Sequence, residues 1–141
     1  MAQEQKQLLL QDLCSRLPYG VFVEYDYGDG VKRATKFHGN YLYLMMLGKL
    51  QWKDFKPYLR PMSSMTEEEK KEFIDATDGE LRYSEVFDVI KPMCESEDYC
   101  PSFVSYLKAI DWLNAHHFDF RGLTSLGLTI AVTDENNPYK E

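Results

Sequence analysis

The sequence predicts an α+β fold: an N-terminal helix, a small antiparallel β-meander or SH3-like barrel, and a helical C-terminal half with a late short strand. Three observations carry this. Leucines recur at helical spacing through the first 17 residues. Apolar residues then alternate between glycine-marked turns as far as residue 55. A segment holding two prolines follows, with helix-start residues directly behind it. A chain of 141 residues has the length of one domain, 1–141, and 44% hydrophobic content is enough to build a core.

Leu9, Leu10, Leu13 and Leu17, set among Lys6, Gln11, Asp12 and Arg16, predict an amphipathic helix over about residues 4–17, stopped at Pro18. Cys14 is expected beside that stripe as a small buried hydrophobe. From residue 19 the period becomes two. Val21, Val23 and Tyr25 alternate with Phe22, Glu24 and Asp26 as a half-buried strand, and Gly28-Asp29-Gly30 turns the chain into a return strand over 31–37. His38-Gly39-Asn40 turns it again. The apolar run Tyr41-Leu42-Tyr43-Leu44-Met45-Met46-Leu47 is expected as the most buried strand, and residues 50–55 as a short fourth one. These strands make up a meander over about residues 19–55.

Residues 56–65 hold Pro57 and Pro61, which fix φ and remove two backbone donors, so this segment is expected as a stiff elbow rather than a strand or helix. Behind it, Thr66 with Glu69, or Ser64 with Glu67, has the spacing of a capping box, and three glutamates sit at the positive end of the helix dipole. The helical half is expected over about residues 66–124. Its first helix stops at Asp78-Gly79. Tyr83, Val86, Phe87 and Ile90 have the spacing of a second, capped by Ser84 and ended or kinked by Pro92. Pro101 suits the start of a third, whose apolar stripe is Phe103, Tyr106, Leu107, Ile110, Leu113 and His117. Asp119 reads as the cap of a short turn through Arg121 and Leu123. Residues 128–132 read as a late strand that adds to the meander's edge, and the polar tail from Thr133 as a frayed end.

The N-terminus is polar, and no apolar run reaches the roughly 18 residues of a membrane helix. Together with three cysteines, an odd number, this predicts a cytoplasmic protein with no membrane partner. The net charge of −7 is segregated. Residues 1–30 sum to −3, residues 31–60 to +6 and residues 61–141 to −10.

Two stretches resemble a family: Lys56-Pro57-Tyr58-Leu59-Arg60-Pro61-Met62-Ser63-Ser64-Met65-Thr66-Glu67-Glu68-Glu69, and Asp111-Trp112-Leu113-Asn114-Ala115-His116-His117-Phe118-Asp119-Phe120-Arg121-Gly122-Leu123. They are similar to small uncharacterised proteins of gut anaerobes of the Bacteroidales type and of their phages and mobile elements. The resemblance spans about half the chain. It implies a cytoplasmic accessory protein without an assigned activity, and carries over no functional residues.

The sharpest chemical feature is residues 31–60, where cations alternate with rings. The candidate contacts for nucleic acid or an acidic partner are Lys32, Arg33, Lys36, Lys49, Trp52, Lys53, Lys56 and Arg60. The competing reading turns the rings into the core and leaves the cations as a solvated face. Cys94, Cys100, His116 and His117 lack the spacing of a zinc site, and Glu95, Glu97 and Asp98 lack the glycine turn of a calcium loop. No nucleophile elbow, phosphate loop or carboxylate pair stands out. The expectation is therefore no catalytic residue, no metal and no cofactor. The expected function is a non-enzymatic protein-binding or accessory protein, with a protein partner or self-association through its acidic half. Nucleic-acid binding through residues 31–60 is the alternative.

Overall fold

The computed structural model describes residues 3–26, 30–51, 55–94, 96 and 98–140. The chain divides into two compact units, residues 1–60 with 119–141, and residues 61–118. The division falls inside the segment expected as an elbow.

The first unit opens with helix α1 (Gln3–Arg16), continued by a 3-10 turn whose Pro18 ends the α-helix as expected. Strands β1 (Phe22–Asp26) and β2 (Lys32–Lys36) pair antiparallel, Val23 opposite Thr35 and Tyr25 opposite Arg33. Three expectations for this unit are corrected. The run expected as the most buried strand is helix α2 (Gly39–Met46), capped by His38, whose ring nitrogen accepts from the Asn40 N–H at 3.3 Å. Its Tyr, Leu and Met residues include no β-branched side chain, and a continuous apolar run has no period to separate the two structures. The elbow begins as strand β3 (Lys56–Leu59). Pro57 is tolerated there because β3 pairs with β1 over only two residues, and its ladder with β6 (Ile130–Ala131) starts at Tyr58, past the proline.

The third correction concerns topology. The sheet is open and mixed, in the order β2-β1-β3-β6, with β3 and β6 parallel, so there is no antiparallel meander and no closed barrel among the described residues. The fold is α+β, with the N-terminal helix and the late short strand in their expected places. The expected fourth strand falls partly on residues 52–54, outside the described residues. The core of this unit gathers Leu9, Leu13, Val21, Val23, Phe37, Met45, Phe55, Leu59, Leu123 and Leu128.

The second unit begins with a 3-10 turn (Met62–Ser64) and helix α3 (Glu67–Ala76). Of the two capping boxes the sequence allows, the one of Thr66 with Glu69 is present. Thr66 Oγ1 accepts the Glu69 N–H at 3.1 Å, and the Glu69 carboxylate accepts the Thr66 N–H at 3.0 Å. Asp78 and Gly79 end the helix in the left-handed region.

The helix expected around Tyr83–Ile90 is instead a hairpin, β4 (Leu81–Ser84) with β5 (Val89–Pro92). Tyr83 and Ile90, seven residues apart, are cross-strand partners, so a spacing that suits a helix face suits this hairpin too. Ser84 Oγ accepts from the Phe87 N–H and the Tyr83 hydroxyl donates to Asp88, so both brace the turn. Helix α4 (Phe103–Ala115) follows, and its N-cap is Ser102, which leaves Pro101 just outside the helix.

Candidate interaction surface

The basic segment is divided by its strands. Residues facing each other across antiparallel strands share a side of the sheet, so Lys36 with Phe22, Lys32 with Asp26, and Lys56 with Glu24 and Tyr58 lie on one face. Lys32 stands 3.9 Å from Glu24, and the carboxylates of Glu24 and Asp26 interrupt the positive field. Arg33, opposite Tyr25, belongs to the other face at the exposed sheet edge, and Lys49 is exposed in the turn after α2. Arg60 is half-buried just past β3. Trp52 and Lys53 lie outside the described residues.

Three of the segment's rings, Phe37, Tyr41 and Phe55, have turned into the core. Tyr25 from β1 stacks on Phe55 with centroids 4.8 Å apart, Phe37 meets Phe55 edge-on, and Tyr41 packs against all three in the core. On the cation face, the Phe22 ring is met edge-on by Tyr139 at 5.4 Å. The Tyr139 hydroxyl also accepts the Phe22 N–H at 3.0 Å and donates to the Tyr58 carbonyl at 2.7 Å, joining β1 to β3. Burial pushes this phenol well above its ordinary range. The tail expected to fray is therefore tied to the sheet, and its polar composition carried no sign of that.

Beneath the same unit lies a charge cluster. Asp12 and Arg16, expected on the solvent side of the first helix, are both 0% exposed. The Arg16 guanidinium meets Asp12 at 2.9 Å, and Arg121 reaches the same carboxylate at 2.8 Å. Burial draws Arg16 below its ordinary pKa, with Asp12 opposing the shift. Phe120 lies under both guanidinium groups. Asp119 caps its turn as expected, its carboxylate accepting the N–H groups of Leu123 and Thr124, both at 2.9 Å. Cys14, expected to be buried, is exposed, as are Cys94 and Cys100. Among the described residues no group of three His, Cys, Asp or Glu side chains is placed to hold a metal ion. No helix among them is long and apolar enough to cross a membrane.

The second unit reverses the first. Of its clearest predicted stripe, Leu113 is buried while Phe103, Tyr106, Leu107 and Ile110 are exposed. Phe103 is 76% exposed, Leu107 47% and Ile110 40%, and at i, i+4 and i+7 they line one side of α4. The buried side is made of Ser105, Ala109, Leu113 and Asn114, with Trp112 packing edge-on against Phe73 at 5.3 Å and stacking on Phe118. Small residues let the helix backbone approach its neighbours closely, and this turns the large apolar side chains outward.

The hairpin adds Val86 and Phe87 at its tip, with Lys91 held 3.7 Å over the Phe87 ring. Of the fifteen large hydrophobic residues exposed among the described residues, nine fall within residues 86–110. Periodicity located this face of α4 but not the side of the helix that is buried. No family model, curated protein or solved structure matches the chain.

Proposed function

We propose that the chain is a small non-enzymatic protein-binding accessory protein, and that its contact surface is the outward face of α4. The observation that supports this is the concentration of exposed apolar side chains in residues 86–110, three of them aligned as Phe103, Leu107 and Ile110. An exposed apolar stripe along one side of a helix is the kind of surface a protein contact uses. The resemblance of two stretches to small uncharacterised proteins of Bacteroidales-type gut anaerobes and of their phages and mobile elements implies the same class and a cytoplasmic setting.

A photo-crosslinking amino acid at Leu107, introduced in the native host, is expected to capture one defined protein, identified by mass spectrometry. The same label at Glu72 on α3 is expected to capture none. Equal capture at both positions, or none at Leu107, would overturn the reading.

A second reading is nucleic-acid binding on the outer face of the sheet, favoured by the alignment of Lys32, Lys36 and Lys56. A mobility shift at low salt that is lost in a K32E/K36E/K56E variant is its expected signature.

A further inference from the structure

We infer that the partner seated on α4 is a basic amphipathic helix of another protein. This rests on the reading of α4 as a docking face and names the chemistry of its occupant.

Phe103, Leu107 and Ile110 span two helical turns, about 10 Å of rise, which matches the i, i+3/i+4, i+7 anchors of a helix laid along an apolar surface. The rest of the unit decides the charge. Residues 61–118 hold thirteen acidic and five basic side chains, a net −8, while the remainder of the chain sums to +1.

Three of its five cations are engaged within the unit. Lys108, on α4 itself, bridges to Asp78 at 2.9 Å, Lys70 is held between Glu67 and Glu85, and Lys91 covers Phe87. Asp111 stays exposed beside Ile110, and Glu85 and Asp88 are exposed at the hairpin turn. Anionic lipid and nucleic acid would meet this field with like charge, and so would the same face of a second copy. A helix with an apolar stripe flanked by lysine or arginine satisfies both the stripe and the field.

The test uses the full chain and three synthetic peptides, each about five helical turns long. One carries a leucine stripe with lysines elsewhere, one the same stripe with glutamates, and one is a scrambled form of the lysine peptide. By calorimetry at low salt the lysine peptide is expected to bind in the micromolar range and the other two to show no heat. L107D, confirmed folded by circular dichroism, is expected to weaken binding at least about tenfold, as loss of a central anchor does, and I110D to do the same.

Equal binding of the scrambled peptide, binding indifferent to both variants, or no binding of the lysine peptide would overturn the inference. Glutamate-peptide binding that L107D abolishes would also overturn it, while leaving α4 as a docking face. In sedimentation, a concentration-dependent dimer that L107D abolishes would overturn it in favour of a second copy.

Discussion

Helices α1 and α4 are amphipathic in sequence, and each contradicts the simple rule from the opposite side. Helix α1 buries two charges, Asp12 and Arg16, while α4 leaves five large hydrophobic residues in solvent, among them the aligned Phe103, Leu107 and Ile110. The difference lies in partners. The α1 charges neutralise one another and share Asp12 with Arg121, so their desolvation is offset inside the unit. The α4 residues stay exposed while the helix packs through Ser105, Ala109 and Leu113 instead. A buried charge with partners is a closed structural device; an exposed apolar stripe without them is an open one.

This contrast can be broken most sharply at Asp12. D12A leaves Arg16 buried without its carboxylate, and urea unfolding is expected to show a loss of about 3–5 kcal/mol. Replacing both partners, as D12L with R16M, is expected to restore most of that stability, since an apolar pair of similar volume has no desolvation to offset.

On α4 the two faces are expected to respond differently to the same change. L113A, on the buried face, should cost about 2–5 kcal/mol through transfer and cavity terms. L107A should stay within about 1 kcal/mol of wild type and be felt in partner binding instead. Equal losses in denaturant melts would mean that the outward stripe supports the fold.

Smaller effects are expected at the start of α4. Ser102 Oγ accepts the Ser105 N–H at 3.2 Å, and S102A is expected to cost about 1 kcal/mol, read from thermal unfolding. Glu80 accepts the Ser102 N–H at 2.9 Å, and donors from Ser105 and Ser102 hold its carboxyl below the ordinary value of 4.5. A carboxyl lowered on folding contributes its stability fully above that ordinary value and loses it as pH falls through the lowered one. Wild type is therefore expected to lose slightly more stability than E80Q on acidification below about pH 4.5.

Where a local signal had one structural solution, it was legible. Thr66 with Glu69 read as one of two possible capping boxes, Asp119 as a cap, Asp78-Gly79 as a stop and Pro18 as the end of the first helix, because each acts over a few residues of its own backbone. Where two solutions shared a pattern, it was not. Residues 41–47 suit strand or helix, and Tyr83 with Ile90 suits a helix face or a hairpin pair. The candidate surface was half legible: the stripe on α4 was visible, and its direction was not.

The sequence by itself determined the α+β class, the end of α1, both ends of α3 and the segregation of charge, since composition and hydrogen-bonding range are local properties. Only the tertiary structure decided that β3 runs through Pro57, that Tyr139 ties the tail across β1 and β3, that Asp12 and Arg16 go inside, and that Phe103, Leu107 and Ile110 stay out. Each of these depends on which groups meet across long separations in the chain, and the free energy of burying a side chain is set by the partner it finds there.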